Sequence, residues 1–402
     1  MKYKTRIILF FAAMTLFHLA ANFANPITPT VIKELHLHDY MFGLATAAMM
    51  VTNFLTSPFW GKINTYISAR VTLLVCCLGF AVAQLVFAYS TTELGIVLAR
   101  MICGLFVGGI LVSFLTYIIG TSQPEDQGRF LTYCATIQSV ASAFGYMVGG
   151  LLGEISIMTV FFAQIGMMIV IGISFYVICK PIREEHYEKI SIPRLTKEAN
   201  PFKAFMDSKQ FMCASLALLF SINIFVNFSN TSFDQAFNYY LKDALGLTPS
   251  YNGIIKAGVG FISFAANMTL CVWLINKRRI KHSMLVITII CTLSAVGTTV
   301  SSNILFFILF SVLLYAGYSV SLPVLQSVIT NSATQEQQNL VIGFYNFTTA
   351  LGNIAGSMLA GFVYSLHEKL PFACTTLGYC LSAAAAFYYV IHSNNKKASY
   401  PH

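Results

Sequence analysis

Long apolar segments separated by short polar connections fill most of the chain. An α-helix needs about 20 apolar residues to cross the hydrocarbon core of a bilayer, and twelve segments of roughly that length can be placed. They cover residues 5–32, 40–60, 70–90, 93–120, 128–153, 157–179, 210–241, 250–275, 282–301, 303–330, 337–366 and 371–392. The pattern therefore predicts an all-α membrane protein with twelve transmembrane helices.

A stripe of polar side chains interrupts the apolar segment at residues 210–241. Its members follow at spacings of four, three, four and four residues: Asn223, Asn227, Asn230, Asp234 and Asn238. These spacings place them on one face of a helix. Because a carboxylate facing lipid is costly, this face should line a protein interior or a water-filled cavity. We therefore expect Asn227 and Asn230 to contact a substrate.

A second stripe runs along the first apolar segment at spacings of three, four, three and four residues: Thr15, His18, Asn22, Asn25 and Pro29. Asn22 and Asn25 are expected to bind substrate in the same cavity as the later asparagines. Pro26 and Pro29 lack a backbone donor, so this helix is expected to bend.

The two parts of the chain are related in sequence. Asn22–Asn25 reads Asn-Phe-Ala-Asn, and Asn227–Asn230 reads Asn-Phe-Ser-Asn. A second match, at one constant offset along later segments, pairs Gly145 with Gly356. Two parallel repeats of six spans predict two pseudo-symmetric halves with a cavity between them near the membrane midplane.

The longest polar connection covers residues 181–209 and carries three prolines and charges of both signs. It predicts a cytoplasmic linker between an N-terminal six-helix half, residues 1–180, and a C-terminal six-helix half, residues 210–402. We interpret it as a solvated strap without a regulatory role.

The distribution of basic residues predicts the orientation of the chain. Nineteen of the 24 Lys and Arg residues fall in one set of alternating connections and three in the other. This asymmetry predicts a multi-pass protein of the cell membrane with both termini in the cytoplasm. The net charge of +9 does not indicate nucleic acid binding, because the basic residues lie in short loops between apolar spans.

Composition and motifs exclude several function classes. Only 10% of the residues are charged, against about 25% in soluble proteins. The ten cysteines show no CxxC pair and are interpreted as small buried apolar residues rather than metal ligands. The chain contains no G-x-x-x-x-G-K-[ST], no G-x-S-x-G and no zinc-spaced His/Glu pair. We expect no enzyme activity and no cofactor, with a proton gradient rather than ATP as the energy source.

Two short motifs connect these features with a known family. Residues 100–104 read Arg-Met-Ile-Cys-Gly, and residues 145–150 read Gly-Tyr-Met-Val-Gly-Gly. They resemble the span-four R-x-x-x-G motif and the span-five G-P-x-x-G-G antiporter motif of the major facilitator superfamily. Tyr146 stands where the second motif has proline, and Thr65 stands where the family loop after span two has aspartate. The resemblance covers essentially the whole chain.

The resemblance implies the fold of that family and favours its twelve-span drug/proton antiporter branch. It also implies a proton-coupling role for Arg100, which matches the membrane-embedded arginine of the span-four motif. The alternative for Arg100 is a structural arginine that hydrogen-bonds backbone carbonyls of the first helix.

Asp234 is the acidic residue that lies clearly within a predicted span, which makes it the candidate proton carrier. One hypothesis pairs Asp234 with Arg100 across the two halves, and the alternative pairs it with Lys256. His18 is a second candidate carrier because the reference pKa of histidine lies near neutrality, against the alternative of a packing residue.

Other polar residues within spans are candidates for substrate binding: Asn53, Gln138, Asn346 and Thr349. Four glycines are interpreted as close-packing and gating positions rather than ligand contacts: Gly145, Gly149, Gly150 and Gly356.

These features predict a secondary transporter, working as a monomer by alternating access, that exports small amphipathic or drug-like compounds in exchange for protons. A first alternative is a proton-coupled transporter of a sugar or another small polar metabolite, because amides also suit hydroxyl groups. A second alternative is a receptor or scaffold that keeps the fold but transports nothing.

Overall fold

The computed structural model describes residues 3–180, 199–275, 280–334 and 337–398, and every regular element in those ranges is a helix. The all-α prediction is confirmed. The helices are α1 Tyr3–Ala21, α2 Thr28–Glu34, α3 Met41–Ile63, α4 Ala69–Tyr89, α5 Glu93–Thr121, α6 Pro124–Ile155, α7 Ile157–Ile178, α8 Lys203–Asp207, α9 Ala214–Asp243, α10 Pro249–Ala266, α11 Val272–Ile275, α12 Ile280–Val300, α13 Ile304–Thr330, α14 Gln338–Tyr364 and α15 Leu370–Ala398. A single π-helical stretch, Asn267–Cys271, joins α10 to α11.

Ten of the described helices are long and apolar enough to cross a membrane, when the π-helical stretch is counted as part of one of them. Two predicted spans correspond to α3 and α14, which are not among these ten. With 23 and 27 residues, both are long enough to cross a bilayer, but Thr, Asn, Ser and Gly interrupt their apolar runs. The count of twelve spans therefore stays a prediction.

The first predicted span is broken, so the expectation of one helix with a bend is wrong. Helix α1 ends at Ala21, a turn follows, and α2 begins at Thr28. In the turn, the amide of Asn22 donates to Leu19 O at 3.3 Å, an i to i−3 bond in place of the α-helical one. Pro26 cannot donate at all, which prevents the helix from resuming before Thr28.

Contacts between described residues divide the chain into two compact units. The first runs over Met1–Pro201 and Leu241–Gly260, and the second over Phe202–Tyr240 and Phe261–His402. The predicted halves stay a prediction. Residues 181–198, most of the predicted linker, lie outside the described residues.

Aromatic side chains fill the core of the first unit where α1, α5 and α7 meet. The rings of Phe10 and Tyr117 lie 4.7 Å apart between centroids, and those of Phe114 and Phe175 lie 5.3 Å apart. All four side chains are almost fully buried. Between membrane-length helices such rings are held by van der Waals packing rather than by transfer out of water, and this cluster positions α1 against α5 and α7.

A second aromatic cluster forms the core of the second unit. Phe237 stacks on Phe307 of α13 at 5.7 Å, and Phe233 contacts Phe372 of α15 edge-to-face at 5.6 Å. Both α9 rings also contact the ring of Tyr315 on α13, next to the polar stripe of α9. The cluster therefore fixes the rotation of α9 about its axis, and with it the direction in which the stripe points.

In the first unit, two glycines of α6 allow close contact with the end of α1 and the turn after it. A Cβ on Gly145 would collide with Leu19 O and would lie 3.0 Å from Asn22 Cβ. A Cβ on Gly149 would collide with the backbone of Phe23. The backbones touch here because neither position carries a side chain.

The second unit repeats this arrangement between α14 and α9. A Cβ on Gly352 would lie 3.0 Å from Asn227 Cβ, and a Cβ on Gly356 would collide with Phe228 O. Since Asn22 matches Asn227 in the repeat, Gly145 corresponds to Gly352 rather than to Gly356. The repeat register predicted for these helices is therefore wrong by four residues, about one helical turn.

Candidate functional site

The polar stripe of α9 begins with a fully buried amide that is anchored to α14. Asn223 Nδ2 lies 3.2 Å from Tyr345 O and 2.9 Å from the hydroxyl oxygens of both Thr348 and Thr349. The predicted substrate residue Thr349 is thus part of this network. The network fixes the rotamer of the first amide of the stripe.

The side-chain amide of Asn227, one turn along, is also buried, and both its nitrogen and its oxygen form hydrogen bonds. Asn227 Nδ2 donates to Asn223 O at 2.8 Å and to Asn223 Oδ1 at 2.9 Å. Asn227 Oδ1 accepts from the hydroxyl of Tyr318 on α13 at 3.1 Å. Sequence reasoning missed Tyr318, because nothing in the apolar run of α13 marks it as a neighbour of the stripe.

The C-terminal part of the stripe carries Asn230 and Asp234. Asn230 is buried, whereas Asp234 is half-buried. Asp234 Oδ1 accepts a hydrogen bond of 2.8 Å from the hydroxyl of Tyr315. Beside them, Thr231 donates to Asn353 Oδ1 of α14 at 2.8 Å. We call the polar residues along this face of α9 and their neighbours on α13 and α14 the amide seam: Asn223, Asn227, Asn230, Thr231, Asp234, Tyr315, Tyr318, Thr348, Thr349 and Asn353.

Asp234 belongs to the second unit, while Arg100 and Lys256 belong to the first. Both predicted pairings of Asp234 therefore stay predictions. Within its own unit, the described partner of the carboxylate is the Tyr315 hydroxyl. Tyr315 is a second residue that sequence reasoning missed.

The first unit repeats one element of the seam at the broken end of α1. Asn22 Nδ2 donates to His18 O at 2.8 Å, and Asn25 Nδ2 donates to Asn22 Oδ1 at 2.9 Å. The first bond corresponds to the one from Asn227 to Asn223 O in the second unit. The matched asparagines Asn22 and Asn227 thus each donate to the backbone carbonyl four residues earlier.

The imidazole of His18 lies away from these amides. It is 4% exposed and packs against the rings of Phe17 and Phe114, with centroid distances of 5.2 and 6.0 Å. Its Nε2 atom is buried without a hydrogen-bond partner among the described residues. The ring of His18 thus lies in aromatic surroundings. Its role in proton coupling stays a prediction.

Arg100 lies inside the first unit and is 6% exposed. Its Nη2 atom donates to Thr28 Oγ1 of α2 at 3.0 Å, and its guanidinium stacks over the ring of Phe87 at 4.5 Å. A guanidinium over an aromatic face is stabilised electrostatically when water is excluded. Arg100 therefore ties α5 to α2, next to the break in the first span.

Lys256 of α10 also belongs to the first unit and is 7% exposed. Its ammonium group lies 5.6 Å from the centroid of the Tyr146 ring. Tyr146 occupies the position where the related antiporter motif has proline. The same turn of α6 carries Gly150, where a Cβ would collide with Pro249 O.

The remaining predicted substrate residues are dispersed. Asn53 accepts a 2.9 Å hydrogen bond from Ser57 one turn away, within α3. Gln138 and Asn346 are exposed, outside the buried network. Their roles in substrate binding stay predictions.

Comparison with known proteins identifies one family that this chain matches. A profile of the Major Facilitator Superfamily matches residues 10–293 and 219–401. The chain is 23% identical to multidrug resistance protein 2 of Bacillus subtilis (strain 168) over 370 residues, 92% of this chain and 91% of that one. It is 27% identical to the staphyloferrin B transporter of Staphylococcus aureus (strain NCTC 8325 / PS 47) over 332 residues, 79% and 75% of the two chains.

A solved structure supports the same fold. The bacterial homolog of the human lysosomal transporter Spinster, in its inward-facing and unoccupied conformation, aligns with a TM-score of 0.78. The alignment covers 96% of each chain at 11% sequence identity. At this identity the likeness concerns the fold alone.

Proposed function

The chain belongs to the major facilitator superfamily and is a multi-pass membrane transporter, and on this premise we propose that it exports small amphipathic compounds in exchange for protons. Transport would follow alternating access, with the substrate bound between the two predicted halves. The proton gradient would supply the energy without a cofactor. The proposal includes a monomer in the cell membrane with both termini in the cytoplasm.

The amide seam is the observation that carries this proposal. It offers amide and hydroxyl groups together with the carboxylate of Asp234. Such a surface suits a neutral or weakly cationic ligand better than a multivalent anion, which needs several cations.

The surroundings of Asp234 support a role in proton coupling. The carboxylate is half-buried, and the Tyr315 hydroxyl lies 2.8 Å from it. A hydroxyl can donate to a carboxylate and can accept from a protonated carboxyl group. The side chain can therefore bind and release a proton without leaving its place.

Similarity to multidrug resistance protein 2 of Bacillus subtilis favours drug-like compounds as substrates. That similarity extends over nine-tenths of both chains, so it includes both predicted halves. Large aromatic and aliphatic content beside the seam suits the apolar part of such compounds.

Ethidium efflux tests the proposal. Cells expressing the wild type should accumulate less dye than cells with empty vector, and a protonophore should remove the difference. Asp234→Asn should behave like the empty vector. Asp126→Asn is the matched control, because Asp126 forms a 3.1 Å ion pair with Arg129 on the surface. Wild-type cells without efflux of any dye would refute the drug-export proposal, and full activity of Asp234→Asn would refute the coupling role.

A second candidate is the transport of a small polar metabolite. The 27% identity to the staphyloferrin B transporter favours it, and amide groups also suit hydroxyl-rich ligands. A deletion strain separates the two candidates. Sensitivity to cationic dyes indicates drug export, whereas altered growth on a carbon source or altered release of a metabolite indicates the second candidate.

A further inference from the structure

Two arginines lie at the same end of the first unit, where α1 and α4 begin and α5 and α7 end. Arg6 belongs to the first turn of α1, and Arg70 is the second residue of α4. Burial raises the pKa of the Cys179 thiol, directly after α7, to about 12, and both guanidinium groups act on that thiol in the opposite direction. The two cations therefore converge on the end of α7.

Aromatic residues position both arginines. The guanidinium of Arg70 lies over the ring of Tyr176 on α7, with 5.1 Å between the guanidinium carbon and the ring centroid. Arg6 interacts electrostatically with the hydroxyl of Tyr117, a fully buried residue of α5. Stacking on a ring leaves the edge of a guanidinium, which carries its donors, available to another partner.

The positive charge of the two arginines is not balanced within the described part of the unit. Neither arginine forms an ion pair with a carboxylate of the described residues. Both side chains are half-buried, and both Nε atoms are buried without a hydrogen-bond partner among those residues. The loop before Arg70 adds no acid, because Thr65 stands where the family motif has aspartate. Partly buried cations without a counter-charge are costly, so this end of the unit favours an anion.

The chemistry of the donors indicates which anion fits. A guanidinium presents its N–H groups in a planar fork that matches the oxygens of a phosphate or a carboxylate. Two such forks from different helices suit a phosphate diester, whose two non-bridging oxygens can each accept from one arginine. A phosphate diester is the group that links the head and the acyl chains of a phospholipid.

The surface beside the two arginines is apolar. Helices α4 and α7 pack directly, since a Cβ on Gly172 would lie 2.9 Å from Cys77 Cβ. Each of the two helices exposes three aliphatic side chains at helical spacing: Val75, Leu78 and Val82 on α4, and Val170, Ile173 and Val177 on α7. Exposed apolar faces of membrane-length helices contact acyl chains. This surface favours a phospholipid over a free phosphate ion, because only the lipid would contact both the arginines and the aliphatic faces.

We propose that Arg6 and Arg70 bind the phosphate group of an anionic phospholipid whose acyl chains lie along the exposed faces of α4 and α7. In the predicted orientation, this end of the unit lies at the cytoplasmic leaflet, whose surface potential is negative. The bound lipid neutralises both guanidinium groups and connects the start of α1 with α4 and α7. This site goes beyond the proposed transport function and does not depend on it.

Lipid titration of the purified protein provides the first test. Delipidated protein in detergent is titrated with phosphatidylglycerol, and the bound lipid is counted by native mass spectrometry. Wild type should bind one phosphatidylglycerol about tenfold more tightly than phosphatidylcholine with the same acyl chains. The double variant Arg6→Gln with Arg70→Gln should bind phosphatidylglycerol no more tightly than phosphatidylcholine.

Arg129→Gln is the matched control for the removal of a positive charge. Arg129 lies near the start of α6, at the same end of the unit, but it is exposed and forms a 3.1 Å ion pair with Asp126. Arg129→Gln should keep the wild-type preference for phosphatidylglycerol. Loss of the preference in this control as well would refute a defined site, because binding would then follow net charge alone.

Thermal unfolding provides a second test and distinguishes a lipid from free phosphate. Phosphatidylglycerol should raise the unfolding midpoint of wild type and of Arg129→Gln, because a ligand of the folded state stabilises it, and should not raise that of the double variant. Inorganic phosphate should leave all midpoints unchanged. If inorganic phosphate raises the wild-type midpoint as much as phosphatidylglycerol does, the ligand is a free phosphate and the lipid assignment is wrong.

A single variant keeps the test decisive if the double variant does not fold. Arg70→Gln retains the interaction of Arg6 with Tyr117 and should weaken the binding of phosphatidylglycerol roughly fivefold. An unchanged affinity in this variant, or a wild type that binds phosphatidylglycerol and phosphatidylcholine equally, would refute the site.

Discussion

The hydroxyl of Tyr315 lies 2.8 Å from Asp234 Oδ1 and donates a hydrogen bond to it. The two residues come from different helices, α13 and α9, so the bond depends on tertiary packing. It places a hydroxyl donor on the carboxylate that is the candidate proton carrier. We therefore predict that Tyr315 affects transport through Asp234, as a positioning residue.

Replacing Tyr315 by Phe should slow proton-driven transport while leaving the protein folded. The ring keeps its packing against Phe233 and Phe237, but the carboxylate loses a donor. We expect the rate of dye transport in proteoliposomes to fall roughly tenfold, equivalent to about 1.4 kcal/mol. Tyr388→Phe, at an exposed position of α15, should leave the rate unchanged. A wild-type rate for Tyr315→Phe would remove the positioning role.

Asn227→Ala should lower the stability of the protein. The exchange removes the acceptor of the Tyr318 hydroxyl and the donor to Asn223 Oδ1, and it leaves the Asn223 amide oxygen buried without that donor. An unsatisfied buried polar group costs about 1–3 kcal/mol. Asn346→Ala, at an exposed position of α14, should change stability by less than about 0.5 kcal/mol. Thermal unfolding of the two purified variants compares them, and equal midpoints would contradict the buried network.

The spacing of the asparagines predicted the polar face of α9 because helical periodicity is a local property of the sequence. The partners of that face could not be predicted in the same way. Tyr315 and Tyr318 lie in an apolar run of α13, and their neighbours are set by how α13 packs against α9. Sequence periodicity carries no information about such contacts between helices.

The glycine register shows a different limit of sequence reasoning. In both units the glycines that touch the polar helix are four residues apart, Gly145 with Gly149 and Gly352 with Gly356. A shift of four residues therefore still superposes glycine on glycine and keeps the same helix face. Only the contacts with Asn22 and Asn227 distinguish the two registers.

The sequence predicted the position of the break after α1 but not its length. The prolines indicated a bend. The structure shows in addition that the Asn22 side chain donates a hydrogen bond to the carbonyl oxygen of His18. An asparagine that bonds to backbone groups competes with the helical hydrogen bonds. The proline and the asparagine together end the helix at Ala21.

Gly149→Ala and Gly166→Ala should shift stability in opposite directions. A Cβ on Gly149 would collide with the backbone of Phe23, whereas a Cβ on Gly166 of α7 would meet nothing within 4 Å. Overpacking at the first position should cost about 1–3 kcal/mol. At the second, alanine should stabilise the helix by about 0.5–1 kcal/mol. Thermal unfolding in detergent measures both, and an unchanged midpoint for Gly149→Ala would contradict the close contact of α6 with the turn after α1.

Lys33 of α2 provides a prediction with a defined pH dependence. Its ammonium group lies 2.9 Å from Asp39 Oδ1 and 2.5 Å from Asp243 Oδ1, within the first unit. Burial lowers the pKa of Lys33, but the hydrogen bonds and charges of Asp243 and Asp39 outweigh burial and raise the pKa above its ordinary value of 10.5. A raised pKa in the folded state means that the ion pairs stabilise the fold while Lys33 is protonated. This contribution is complete below pH 10.5 and is lost as the pH rises through the raised pKa.

Lys33→Gln should therefore lower the unfolding midpoint at neutral pH, and the difference from wild type should shrink above pH 10.5. In the shorter ion pair, the side chains of Lys33 and Asp243 are 37% and 22% exposed. The loss of stability should therefore lie near the upper end of the range for surface ion pairs, about 1 kcal/mol. The double variant Lys33→Asp with Asp243→Lys provides the control, because it exchanges the two charges and keeps an ion pair at these positions. The double variant should recover part of the midpoint that either single variant loses. If the two single losses simply add in the double variant, Lys33 and Asp243 do not stabilise each other.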